Sequence, residues 1–319
     1  MNQNNATQYK YLNATGHLDY NMTNDYMFRM VLQRDKATLS ALICSVLGLE
    51  NDEVLDVQIE NTIEPGSAID NKEYQLDILV ILNNHAYINL EMQVINYNNW
   101  PERSLSYLCR RFDNVTRGKD YSTVKPVYHI GFLDFTLFED HPEFFARYQL
   151  RNAADNYLYT AKFNLFVIEL NHTDMARPED KKQKVDTWAK LFKATTWEEI
   201  KMITKDNPSM NSTAETIFLS NSDYAIREQC RVREDNIAHE KYQKECLEKL
   251  TKENEDLTKE IYNLAKEKDT LAEENNTLAE ENNTLAEENN TLAEENARLL
   301  ALLKEKGITA EKFGQKEEI

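Results

Sequence analysis

The sequence predicts an α/β domain followed by a long C-terminal coiled-coil helix. Three observations carry that prediction. Segments whose apolar residues recur at helical spacing flank a run of extended segments, the pattern of a mixed sheet with helices packed on it. Leucine then recurs every seven residues from Leu250 to Leu299. At 319 residues, 41% of them hydrophobic, the chain is long enough to bury a sizeable core.

Residues 1–20 are polar and Asn-rich and read as a flexible N-terminal arm. Helices are expected over 22–34 and 36–49, with Met27, Met30 and Val31 on one face of the first and Leu39, Leu42, Ile43 and Val46 on one face of the second. Thr23 or Asn24 is the expected N-cap of the first, and Gly48 the expected end of the second. Extended segments follow at 54–61, 74–82, 86–95, 127–134 and 158–170, with Pro65-Gly66 as a turn between the first two. A helix is expected from Pro101, at its first turn, to about Thr116, with Gly118 after it. From 178 to about 235 the pattern is helical again, so the α/β domain spans 21–235.

The strand pair around 83–85 is the informative part. Asn83, Asn84 and His85 form a short polar connection of hairpin type. With those three residues as the loop, opposed residues have numbers summing to 168, so Leu79 faces Asn89, Gln75 faces Gln93 and Asp77 faces Glu91. A two-residue loop would shift that register and set Asp77 diagonal to Glu91. Opposed carboxylates repel, and Asp77 sits inside the apolar run LDILVIL, where an ionised carboxylate is costly unless paired or metal-bound. Lys72 lies before these strands, and neither strand holds a cation. A divalent ion with oxygen ligands, Mg²⁺ or Mn²⁺, relieves both problems. The competing reading puts Asp77 at a strand end and leaves Glu91 solvated.

Net charge is −18, which argues against a protein that coats DNA. Residues 103–125 are nevertheless net +4, a stretch that is either a solvated helix face or a phosphate-binding one. No apolar run reaches the length of a membrane helix, and the start lacks a charged-then-apolar leader pattern, so the expected location is cytoplasmic, with no membrane partner. Four cysteines without CxxC spacing argue against a zinc ribbon or a disulfide scaffold. GxxxxGKS/T, GxSxG and HExxH are all absent, and the six histidines are scattered. His129, within a strand, reads as a satisfied core residue.

Asp77 followed at a spacing of fourteen by Glu91-Met92-Gln93 resembles the core motif of the PD-(D/E)XK nuclease superfamily. The text around it is more specific. Asn24-Asp25-Tyr26-Met27-Phe28, Lys72 ahead of LDILV, INLEMQ, Arg103 with Tyr107, Gly118-Lys119-Asp120-Tyr121 and the strand 127–134 leading to Phe138 resemble the Rpn family of recombination-promoting nucleases and transposases. That resemblance covers roughly 20–235 and implies a restriction-endonuclease-like mixed sheet flanked by helices.

Carried over residue by residue, the resemblance makes Asp77 and Glu91 metal ligands and catalytic residues, with Met92 contributing its backbone carbonyl. Gln93 stands where the superfamily usually has Lys, and a neutral amide cannot stabilise the transition state as a Lys charge does, so slower or more metal-dependent cleavage is expected. Asp25 resembles an extra acidic metal position; equally, it suits the first turn of a helix for reasons of dipole alone. Lys72, Arg103, Arg110 and Lys119 are the expected DNA phosphate contacts, and seven-residue spacing puts Arg103 and Arg110 on one helix side. Tyr107 between them either stacks on a base or packs in the core, and core is preferred. The implied activity is a Mg²⁺- or Mn²⁺-dependent DNA endonuclease set in recombination or a mobile element. The alternatives are a catalytically weak or inactive nucleic-acid-binding protein, or a coiled-coil interaction protein, that keeps the fold.

The coiled coil is expected over 240–305, with Leu250, Leu257, Leu264, Leu271, Leu278, Leu285, Leu292 and Leu299 at d. The a positions include Leu247, Ile261 and Leu303 at the ends and four successive asparagines, Asn275, Asn282, Asn289 and Asn296, between them. Asn opposite Asn favours a parallel dimer and fixes register at a cost in stability, so a homodimer is expected through 247–303. Residues 270–297 are four near-identical copies of TLAEENN with eight Glu and no basic residue, so added salt should assist pairing. A single solvated helix is the competing reading. Residues 306–319 form a polar tail.

Overall fold

The computed structural model describes residues 9–50, 52–60, 63–64, 74–75, 78–113 and 118–307. It divides into two compact units, residues up to 242 and residues from 243 onward.

Part of the segment read from the sequence as a loose arm is anchored from Tyr9 onward, although most of its described residues stay exposed. Tyr11 is buried, its hydroxyl within 2.9 Å of both Thr204 Oγ1 and Asn211 Oδ1, and His17 bridges to Thr196. An aromatic ring in a polar stretch supplied the anchor. Helix α1 (Asp25–Arg34) starts at Asn24, whose side chain accepts from the Met27 amide at 3.2 Å. Helix α2 (Lys36–Leu47) is capped by Asp35 and ends at Gly48, with φ 69°. Both match the sequence expectation.

Strands β1 (Val57–Glu60), β2 (Ile63–Glu64), β3 (Tyr74–Gln75), β4 (Ile78–Leu82) and β5 (Ala86–Gln93) come next, then α3 (Trp100–Phe112), β6 (Val127–Leu133), β7 (Phe145–Gln149) and β8 (Phe163–Glu169). Six of these strands form one sheet in the order β1-β4-β5-β6-β8-β7, with β5, β6 and β8 parallel and the other pairings antiparallel. β2 and β3 form a separate two-stranded ribbon, in which Gln75 pairs with Ile63 rather than facing Gln93. β7 has no counterpart in the sequence reading; its text, FARYQ, is polar on alternate residues because it is an edge strand. The helical stretch beyond 178 resolves into α4 (Pro178–Lys182), α5 (Val185–Lys193), α6 (Trp197–Lys205), α7 (Asn211–Ser222) and α8 (Tyr224–Glu305).

The sheet has two different faces. Even-numbered residues of its central strands (Ile88, Leu90, Met92, Ile130, Phe132, Ile168) face the main core, shared with Met27, Phe28 and Val31 of α1 and Trp188 and Phe192 of α5. Odd-numbered residues face α3, where Trp100 and Leu108 pack on Val127, Leu133, Leu165 and Val167. The alternation in AYINLEMQ therefore sends Asn89 and Glu91 under α3, not into solvent.

The second unit is described as helix up to Glu305, the continuation of α8. Its d-position leucines remain 51–58% exposed, an apolar stripe along one helix side. No described helix is long and apolar enough to cross a membrane.

Candidate functional site

The β4–β5 hairpin sets the site. Asn83 and Asn84 occupy the left-handed region, which asparagine tolerates, and the loop holds Asn83, Asn84 and His85. Pairing runs from Leu82 opposite Ala86 to Ile78 opposite Leu90, so opposed numbers sum to 168 and Leu79 faces Asn89 as expected. Asn83 fastens the turn to the segment before β1: its Oδ1 accepts from the Leu55 and Asp56 amides at 2.8 and 3.0 Å, and its Nδ2 donates to Glu53 O. Asp77 and Lys72 lie outside the described residues.

Glu91 is central on β5 and buried, only 2% exposed. Arg103, near the start of α3, meets it: Nε donates to Oε1 at 2.8 Å and Nη2 lies 2.7 Å from the same oxygen. The guanidinium also sits over the Tyr107 ring, 5.3 Å from its centroid. Arg103, expected on a DNA phosphate, is thus committed to the carboxylate, and Tyr107 is buried as preferred. α3 reaches this position because residue 131 of β6 is glycine, and Trp100 lies directly over it.

His129, on β6 beside Asn89, completes the cluster. It is 1% exposed, with the Asn89 amide 2.8 Å from Nδ1 and the rings of Trp100 and Tyr107 packed at 5.6 and 5.8 Å. Burial, aided by the Arg103 charge, pushes its pKa down to about 3, so the ring is neutral. Its Nε2 lies 3.6 Å from Glu91 Oε2, which is therefore not an ion pair, and Nε2 and Asn89 Oδ1 have no hydrogen-bond partner among the described residues. The sequence reading of His129 as a core residue is right for burial but missed this placement. The signal was there: Asn89 and His129 are polar at the same inward parity in two apolar strands.

The remaining expected residues are placed as follows. Met92 is buried on the core face, and Gln93, at the end of β5, donates from Nε2 to Ile95 O at 3.0 Å. Asp25 opens α1 and is gripped by Arg233 of α8, whose Nε lies 2.9 and 2.7 Å from its two oxygens. Arg233 also approaches Glu240 at 3.5 Å, and Tyr97 donates to that same carboxylate. Asn24 ties α1 to α8 through Cys230 O at 3.0 Å. The ties from Asn24, Asp25 and Tyr97 to α8 were not visible in the sequence, since they join residues 143 to 208 positions apart. Arg110 is half-buried on α3 and Lys119 is exposed.

No group of three or more His, Cys, Asp or Glu able to hold a metal gathers among the described residues. The donors that are described still suit a divalent ion: a buried carboxylate, with an orphaned ring nitrogen beside its second oxygen.

A family model described as PD-(D/E)XK nuclease family transposase matches residues 22–246, more than half of the chain and the whole of the six-stranded sheet with its helices. No curated protein and no solved structure matches. The matched family carries a nuclease-like or transposase-associated role, a hydrolase class that binds DNA and usually works with divalent metals. A mixed sheet flanked by helices, with a buried glutamate on the second strand of the hairpin, fits that assignment, and the chain belongs to the PD-(D/E)XK nuclease family transposases.

Proposed function

We propose that this protein is a divalent-metal-dependent DNA endonuclease whose site is built on Asp77 and Glu91. The observation that carries the reading is the hairpin register. From Leu82 opposite Ala86 to Ile78 opposite Leu90 the opposed numbers sum to 168, the same sum on which the sequence reading paired Asp77 with Glu91, and Glu91 is buried. Asp77, Glu91 and the Met92 carbonyl would hold Mg²⁺ or Mn²⁺, with Asp25 as a further carboxylate. Bound there, the ion supplies a Lewis acid at the scissile phosphate and a water of lowered pKa.

The chain's own groups do the rest. Arg103 holds the Glu91 carboxylate in one orientation. Gln93 donates to the attacking water or to a phosphate oxygen, without the charge a Lys would bring. Lys72, Arg110 and Lys119 meet backbone phosphates. The d-position leucines, half exposed along 250–299, support parallel homodimerisation, which gives two sites for two strands. Recombination or a mobile element in the cytoplasm is the proposed setting.

Purified protein incubated with supercoiled plasmid and Mg²⁺ or Mn²⁺ tests this. Nicking is expected, and both Asp77→Ala and Glu91→Ala abolish it. One observation favours a second reading, a DNA-binding protein without cleavage: Gln93 replaces the usual Lys and its amide is turned to Ile95 O. That reading requires salt-sensitive plasmid binding and no nicks with either metal.

A further inference from the structure

We propose that His129 is a nitrogen donor to the metal held by Glu91, which makes the site selective for Mn²⁺ over Mg²⁺. The inference rests on the nuclease reading and adds a ligand to it. Its basis is the arrangement of orphaned atoms beneath α3. Nε2 of His129 is enclosed, has no hydrogen-bond partner among the described residues, and points at Glu91 Oε2 from 3.6 Å. That is too far for a hydrogen bond. Two donors about 2.1 Å from one ion lie about 3.0–3.4 Å apart between octahedral and tetrahedral angles, so a small closure would let one ion bridge them.

The Asn89 amide makes both states available. With its nitrogen donating to Nδ1, as placed here, the proton of the neutral ring sits on Nε2 and faces the carboxylate. Turned about its own bond, the amide offers Oδ1, now unsatisfied, to a proton on Nδ1. The proton leaves Nε2, one is taken up at Nδ1, the ring stays neutral, and Nε2 presents a lone pair. A metal-bound imidazole characteristically donates its other N–H to such an acceptor. Imidazole suits Mn²⁺ far better than Mg²⁺, which prefers an all-oxygen shell.

The probe is Mn²⁺ titrated into the full chain, with affinity read by calorimetry and directly bonded nitrogen read by electron spin-echo envelope modulation. Imidazole-nitrogen modulation is expected in the unaltered protein, with Mn²⁺ bound at least tenfold more tightly than Mg²⁺. His129→Gln should remove the modulation and weaken Mn²⁺ about tenfold. Asn89→Asp, a stronger acceptor for Nδ1–H, should keep the modulation and tighten Mn²⁺ severalfold, and it carries the test if His129→Gln fails to fold. Mn²⁺ bound in a Glu91-dependent way without imidazole modulation overturns the proposal alone, as does modulation that survives in folded His129→Gln. No Mn²⁺ binding at all overturns the nuclease reading beneath it.

Discussion

Trp100 occupies the space that a side chain on Gly131 would need: a Cβ there would lie 2.1 Å from Cζ2 of the indole. Glycine at this one point of β6 lets α3 lie close enough for Arg103 to reach Glu91. Gly131→Ala is expected to push α3 off the sheet and destabilise the fold by about 1–3 kcal/mol. Urea denaturation measures the loss, and an unchanged midpoint would contradict this account of the packing.

Arg103 is the counter-charge of a buried carboxylate. Arg103→Met should cost about 3 kcal/mol, because Glu91 keeps its burial and loses its cation. Arg103→Met combined with Glu91→Gln should recover most of that loss. A double-mutant cycle settles it: additive losses would mean that the two side chains do not act as a pair.

Glu169 ends β8 as a buried residue, 3% exposed, with its pKa raised to about 7. Burial is the main cause. The Leu137 amide and His141 pull the other way, Glu143 and Glu139 push it up, and His172 stands 3.5 Å from Oε2. A raised carboxyl pKa means that the fold favours the protonated form. Its contribution is complete below about pH 4.5, the ordinary value, and is lost as pH climbs through about 7. Glu169→Gln should therefore flatten the fall in Tm between about pH 5 and about pH 8 by a few degrees. Parallel melting profiles of the two proteins would refute the assignment.

Asp25 and Arg233 join α1 to α8. As a structural tie, Asp25→Asn and Arg233→Gln should each cost about 1–2 kcal/mol, and the double variant no more than the worse single one. If Asp25 also serves the metal, Asp25→Asn weakens Mn²⁺ whereas Arg233→Gln strengthens it by removing a competing cation. Calorimetry on the two variants separates these roles.

Removing one TLAEENN copy should leave the association state unchanged, since seven residues preserve the a/d seam. Removing four residues instead should weaken it. Sedimentation equilibrium at low and high salt reads both, with tighter association expected at high salt. A monomer under every condition would contradict the parallel pairing.

Local chemistry was legible in the text of the chain. The Asn24 and Gly48 helix ends and the three-residue hairpin loop follow from side chains acting on their near neighbours. Pairings over long separations were not. Arg233 on Asp25, Trp100 over Gly131 and Tyr11 against Thr204 depend on how distant elements pack, and no periodicity encodes them. The role of Arg103 shifted for a related reason. Spacing shows which side of a helix an arginine occupies, but not whether phosphate or a neighbouring carboxylate claims it. β7 escaped because an edge strand needs only one apolar side.

The grip of Asn83 on the Leu55 and Asp56 amides bears on how this locus can evolve. Substitutions along β4 that keep apolar bulk leave the strand seated. Loss of a single loop residue would slide β4 by one position and turn Leu79 and Ile81 toward the core in place of Ile78, Val80 and Leu82. The strand thus tolerates changes of composition far better than it tolerates a residue gained or lost between 83 and 85.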